Sequence, residues 1–264
     1  MMQQYFIQKT DSELHVGELV KLSQEDSHHF INVMRGQKGQ TVQIVCKAQK
    51  FLASLVEIID GYAMLEVVEK IPFDANHIEL PVKVTIACGL SKNEKIEMIV
   101  QKATECGMAY FQPLSLIRDV VKWNSKKAQQ KQVRLQKIAH SAAEQSKRAI
   151  VPEILSIKTL KELLDSSSKY QHKWLAYEEI AKAGSHHYFA DLLSQTEVGE
   201  EILFVFGSEG GLSEKEVSEL KAAGFNLCSL GPRILRAETA PIYALSAISY
   251  ALEINDQGEE HGIK

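Results

Sequence analysis

The sequence predicts an α/β protein, a small strand-rich module followed by a larger, mainly parallel sheet covered by helices. Three observations carry that expectation. Short apolar segments punctuated by Gly17, Gly39 and Gly61 fill the N-terminal stretch, the pattern of a compact β module. A polar stretch with two prolines, Pro72 and Pro81, follows it and reads as a boundary. Beyond that boundary apolar runs alternate with helical periodicity, which argues for a parallel sheet with both faces covered.

In the first module Leu19 to Leu22, Thr41 to Cys46, Phe51 to Ile59 and Tyr62 to Val68 read as strands, and Ser23 caps a short helix through Met34. So many short strands favour a partly closed barrel over residues 1–72. Residues 73–81 form the linker, residues 82–254 the second domain, and the polar residues 255–264 a frayed tail. In the second domain Val82 to Cys88, Tyr110 to Leu116 and Trp174 to Tyr177 read as strands. Ser91 and Glu94 form a capping box for a helix whose apolar stripe is Ile96, Ile99, Val100 and Ala103, with Gly107 as its C-terminal stop.

Two glycine-bearing stretches follow apolar strands and lead into helices. Gly207-Ser-Glu-Gly-Gly211 comes after Ile202 to Phe206, and Gly231-Pro-Arg-Ile-Leu-Arg-Ala-Glu-Thr-Ala240 after Leu227 to Leu230. Ligands bind at the carboxyl ends of parallel strands, and glycine permits positive φ and close backbone approach. Ser213 and Glu216 form a capping box after the first loop, and Thr239 is the expected N-cap after the second, with Ile242, Leu245, Ile248 and Leu252 as an apolar face. The first loop alone is equally readable as an ordinary turn. The second combines Ile234 and Leu235 with Arg233, Arg236 and Glu238, suited to an adenine-sized group held between apolar side chains and backbone amides.

Net charge is −4 over 264 residues, but charge distribution matters more than the sum. Lys122, Lys126, Lys127, Lys131, Arg134, Lys137, Lys147 and Arg148 face a single acid, Glu144. On a helix Lys127, Lys131, Arg134, Gln145 and Arg148 share one sector, which fits either phosphate contact or a solvated face. Hydrophobic content of 45% builds real cores, no apolar run spans a bilayer, and the N-terminus lacks signal-peptide blocks; a cytoplasmic protein is expected. Cys46, Cys88, Cys106 and Cys228 are widely separated, as reduced thiols are. The pairs His28-His29 and His186-His187 lack ligand spacing, so no metal site is expected.

The Gly231 to Ala240 stretch resembles the "LGPRILRTETA" signature of the RsmE family, methyltransferases of the SPOUT superfamily that modify ribosomal RNA. Gly207 to Gly211 is similar to that family's "GPEGG", with Ser208 in place of Pro, and Ala237 stands where the family usually has Thr. Ser91 to Gly107 resembles its "K-x-x-K-x-E-x-I-V-Q-K-A-T-E-L-G" helix, Arg118 matches the Arg after the next strand, and Ala142 to Arg148 matches "E-A-x-E-Q-S-x-R". The resemblance implies a PUA-like β-barrel followed by a SPOUT methyltransferase domain with a C-terminal trefoil knot, a homodimer, and S-adenosylmethionine as cofactor. Residue spacing does not reveal a knot. The implied reaction is methylation of N3 of a uridine in 16S ribosomal RNA of the small subunit, near the decoding region.

By place in the matched motifs, the cofactor residues are Gly207, Glu209, Gly210, Gly211, Leu230, Gly231, Ile234, Leu235, Arg236, Thr239 and Ala240. Arg118 and Arg148 are candidates to stabilise the uracil anion, and Glu144 to orient an arginine or accept the proton. Glu144 also has the spacing of an ion pair with Arg148. Lys127, Lys131 and Arg134 are the RNA-binding candidates. A dinucleotide enzyme is disfavoured because Gly207-x-x-Gly210-Gly211 is not the dinucleotide fingerprint. A non-catalytic RNA-binding or assembly protein would lack affinity for S-adenosylmethionine, whereas a SPOUT enzyme acting on another base would keep it.

Overall fold

The structure, a computed structural model, describes residues 2–9, 13–178 and 188–255. His186-His187 and the tail beyond Asn255 lie outside the described residues. The chain divides into two compact units, one of residues 1–79 with 143–150, the other of residues 80–142 with 151–264.

The first unit holds β1 (Gln4–Phe6), β2 (Leu19–Lys21), β3 (Thr41–Cys46), β4 (Gln49–Ile59) and β5 (Tyr62–Ile71). They form one sheet in the order β1-β3-β4-β5-β2. β1 runs parallel to β3, and the other pairs are antiparallel. Alternation places Phe51, Ala53 and Leu55 of β4 in a core with Tyr5, Phe30, Ile44 and Leu65. Ser23 Oγ accepts from the Asp26 amide at 3.1 Å, starting α1 (Gln24–His28). The expected helix through Met34 is instead a short α-helix continued by a π-helical turn, His29–Val33. Its wide turn ends where the Gly36 amide donates to the Phe30 carbonyl. A Cβ on Gly36 would stand 2.6 Å from the buried Phe30 ring.

The second unit holds a parallel sheet of β6 (Lys83–Gly89), β7 (Tyr110–Ser115), β8 (Glu153–Ile154), β9 (Lys158–Thr159), β10 (His172–Ala176), β11 (Glu201–Phe206) and β12 (Asn226–Cys228). The order is β12-β10-β11-β6-β7-β8, with β9 also pairing β7. Successive residues of a strand point to opposite faces, and the cores split accordingly. Ile202, Phe204 and Phe206 pack in one core with α2 (Asn93–Glu105), α3 (Ser125–Gln145) and α7 (Thr239–Ser249) through Ile96, Ile99, Leu135, Leu245 and Ile248. Leu203 and Val205 pack in the other with α4 (Leu160–Asp165) and α6 (Glu214–Ala222). Tyr188–Ser194 forms α5, whose Phe189 lies edge-on to Trp174. From β6 the sheet grows one way through β7 and β8, while β10, β11 and β12 lie on the other side. The reversal falls between β6 and β11, the position at which such sheets open a crevice for ligands.

Among the described residues no helix is long and apolar enough to cross a membrane. The cysteines are free thiols, and Cys46, Cys88 and Cys228 are buried.

Candidate functional site

Strand β11 ends at Phe206, and the loop after it is tightly folded. The Gly211 amide donates to the Ser208 carbonyl at 2.9 Å, and Gly211 has φ +68°. A Cβ on Gly210 would lie 2.4 Å from the Arg118 carbonyl oxygen, and one on Gly89 would lie 2.7 Å from the Ser208 amide nitrogen. Glycine at both positions lets this loop close against the ends of β6 and β7. The Ser213–Glu216 capping box is present, and Glu216 does more than cap. Its second carboxylate oxygen accepts from the Ile117 amide at 2.7 Å. Buried Asp119 accepts from the Leu116 and Leu90 amides at 2.8 and 3.2 Å. Burial raises the Asp119 carboxyl above its ordinary range, against the pull of those hydrogen bonds. Together they fasten the segment that carries exposed Arg118 to the end of β6 and the start of α6.

Strand β12 stops at Cys228 because Ser229 turns the chain. Its hydroxyl accepts from the Gly231 amide at 3.2 Å and donates to the Gly231 carbonyl at 3.1 Å. Gly231 has φ +111°, with nothing within 4 Å of where a Cβ would be. Leu230 and Leu235 are half-buried, while Arg233, Ile234 and Arg236 are exposed. Thr239 is the first residue of α7 and not its cap. The cap is Glu238, without a side-chain hydrogen bond. The Thr239 and Ala240 amides instead donate to the Arg236 carbonyl at 2.9 and 3.0 Å, so backbone already satisfies the first turn.

The helix α2 also begins differently from expectation. Lys92 is its cap, without a side-chain hydrogen bond, and Ser91 is buried one residue earlier. Gly107, with φ +92°, follows its C-cap as expected. The residue that the sequence reading missed on this helix is Lys95. Its Nζ lies 3.3 Å from Glu209 in the first loop and 3.3 Å from Glu238 in the second. No local pattern could have shown this, since both acids are more than a hundred positions away.

The remaining candidates fall elsewhere. Glu144 and Arg148 group with the first unit, whereas Arg118 belongs to the second. Arg148 does not continue the face of α3, because that helix ends at Gln145 and Lys147 takes φ +63°. Its guanidinium is buried and paired with Glu79, which also accepts from the Ala149 and Ile150 amides at 2.9 and 3.1 Å. The arginine read as part of the basic sector is therefore engaged inside the unit. Replacing Arg148 with Lys should remove the forked geometry and cost about 1–2 kcal/mol of unfolding free energy by urea titration. Burial, then the Asp26 carboxylate, pushes Glu144 up to about 8. Lys127 is exposed, but Arg134 and Lys131 lie 2.7 and 4.0 Å from Glu97 of α2. Glu97 thus neutralises part of the basic face that the sequence suggested.

Gly211 and Gly231 form glycine-lined loops at the carboxyl edge of one parallel sheet, each with open space where a Cβ would stand. Leu230 and Leu235 in the second loop are half-buried. Such edges suit a polar cofactor with an aromatic base, and S-adenosylmethionine fits that chemistry. The class defined is a cofactor-binding α/β enzyme. Residues 78–249 match the family described as RNA methyltransferase domain. The chain is 41% identical to ribosomal RNA small subunit methyltransferase E of Bacillus subtilis (strain 168), over 96% of this chain and 98% of that protein. It is similar to the crystal structure of ribosomal RNA small subunit methyltransferase E from Neisseria gonorrhoeae bound to S-adenosyl methionine. There identity is 28% and the TM-score 0.79, covering 94% of this chain and 97% of that one. A putative methyltransferase from Legionella pneumophila, in complex with the same cofactor, gives 27% identity and a TM-score of 0.82, over 95% and 98%. The chain belongs to the RsmE family of RNA methyltransferases.

Proposed function

We propose that this protein transfers a methyl group from S-adenosylmethionine to N3 of a uridine in 16S ribosomal RNA, in the cytoplasm and near the decoding region. The observation that carries this reading is the pair of open, positive-φ glycines, Gly211 and Gly231, in a family whose relatives are crystallised with that cofactor. In this reading the amides of Gly207 to Gly211, together with Glu209, and the stretch of Leu230, Gly231, Ile234, Leu235, Arg236, Thr239 and Ala240 hold the cofactor. When bound, it supplies an electrophilic methyl group on a sulfonium. The chain must provide an aligned and deprotonated N3. Exposed Arg118 stabilises the uracil anion as the proton leaves. Glu144, whose carboxyl burial pushes up to about 8, is the candidate to orient an arginine or to act as a general base. Lys127 and its neighbours supply phosphate contacts, which makes binding salt-dependent.

We infer further that the first unit is a PUA-like barrel and that the C-terminal stretch is threaded in a trefoil knot. Mixed pairing in the order β1-β3-β4-β5-β2 supports the former. The crossing of the chain from β11 past β10 to β12 is in keeping with the latter. A homodimer is supported by α7 and the turn after it, where Tyr243, Tyr250 and Ile254 stay exposed beside buried Leu245 and Ile248. N3 methylation blocks the pairing face, so reverse transcriptase should stop at one uridine of wild-type small-subunit RNA and read through in a deletion strain. An unchanged stop pattern would overturn the assigned substrate.

A further inference from the structure

The strand order sets a geometric problem that the chain has to solve. The first glycine loop leaves β11 and the second leaves β12, and β10 lies between those strands. Neighbouring strands are about 4.8 Å apart, so the loops spring from points roughly 10 Å apart. A ligand that touches both loops gains from a fixed separation, because ordering them at the moment of binding would cost affinity.

Lys95 stands where it can fix that separation. It lies in the first turn of α2, which follows β6 on the other side of β11. Its ammonium is 3.3 Å from a Glu209 carboxylate oxygen and 3.3 Å from a Glu238 carboxylate oxygen. Glu209 sits in the middle of the first loop, and Glu238 caps α7 at the end of the second. The Glu238 side chain is only 13% exposed, so its charge is held at the joint and not free in solvent. Burial works against the Lys95 charge, and the two acids outweigh it and raise its proton affinity. Both loops are thereby tied to one helix, which the sheet core anchors through Ile96 and Ile99.

We propose that Lys95 is a positioning residue that latches the two glycine loops at the spacing S-adenosylmethionine requires. This rests on the reading of those loops as the cofactor site. The latch acts on the cofactor and not on the RNA, because its partners are loop carboxylates. A partly exposed ion pair is worth about threefold in an equilibrium, and fold-changes multiply, so losing both should weaken cofactor binding by about tenfold.

The test is calorimetric titration of S-adenosylmethionine into the full chain and its Lys95→Met, Lys95→Arg, Glu238→Gln and Gly211→Trp variants, with steady-state kinetics where activity remains. Lys95→Met should bind about tenfold more weakly, and Lys95→Arg should recover most of the loss. Glu238→Gln added to Lys95→Met should cost little more, since the pair is already broken. KM for the cofactor should rise while kcat and KM for RNA hold, and the apo thermal midpoint should fall only slightly, by what two partly exposed ion pairs are worth. Wild-type affinity in Lys95→Met, alongside lost binding in Gly211→Trp, would overturn the latch and leave the site reading intact. Wild-type affinity in Gly211→Trp would overturn the site reading itself. A large fall in the midpoint, or a changed KM for RNA, would make Lys95 a general scaffold residue and also end the proposal.

Discussion

Gly211→Trp should abolish S-adenosylmethionine binding by calorimetry while both units stay folded by circular dichroism. Two effects act together at this position. The backbone sits at φ +68°, where a residue with a Cβ pays about 1–2 kcal/mol. That strain alone would leave weakened binding. The larger effect is steric: nothing stands within 4 Å of the added Cβ, so the indole enters the open space above the loop instead of distorting the core. Gly210→Ala offers a contrast with a different cause. Its Cβ would meet the Arg118 carbonyl at 2.4 Å, and backbone oxygen cannot yield cheaply. The loop or the Arg118 segment must move, and affinity should fall at least about tenfold, since roughly 1.4 kcal/mol of displacement suffices. Unchanged affinity in Gly211→Trp would remove this loop from the site.

These two positions were legible from the sequence because their signals are local. A glycine after an apolar run, or a Ser-x-x-Glu pair before a helix, is set by neighbours within a turn, and Gly107, Ser23 and the Ser213–Glu216 box all appear where that grammar puts them. The failures are also local in origin. Thr239 and Ser91 carry capping side chains, but backbone at Arg236 and the cap at Lys92 satisfy those turns first. What no local rule could reach are the ties that the sheet order creates. Lys95 meets Glu238 only because β6 and β12 are placed around β11 and β10. Glu79 meets Arg148 only because residues 143–150 fold back into the first unit. Glu79 lies in the stretch read as a linker, where a polar residue looks like mere solubility.

Glu144→Gln should stabilise the protein at neutral pH and lose that advantage in acid. In the folded state the Glu144 carboxyl is raised to about 8 from its ordinary 4.5, first by burial and then by Asp26, with Glu25 adding and the Phe6 amide and Lys147 opposing. Unfolding releases it to the ordinary value. Between those two values the native state holds more protons than the unfolded one, so wild-type stability falls as pH rises through that window. Glutamine keeps the shape of the neutral acid and has no proton to lose. The gain over wild type should reach about 3 kcal/mol at pH 7 and shrink below about 1 kcal/mol at pH 5, at roughly 1.4 kcal/mol per unit of separation. Urea unfolding across that range measures it, and a gain that does not vary with pH would refute the raised carboxyl. The same variant tests chemistry independently. A proton acceptor that titrates near neutrality makes kcat climb with pH, and Glu144→Gln should lose that limb together with most of kcat, commonly 10²- to 10⁴-fold. A variant that is more stable and far slower is the signature of a carboxyl kept in an unfavourable place for its reactivity. One that is more stable and equally fast would reassign the proton to another base.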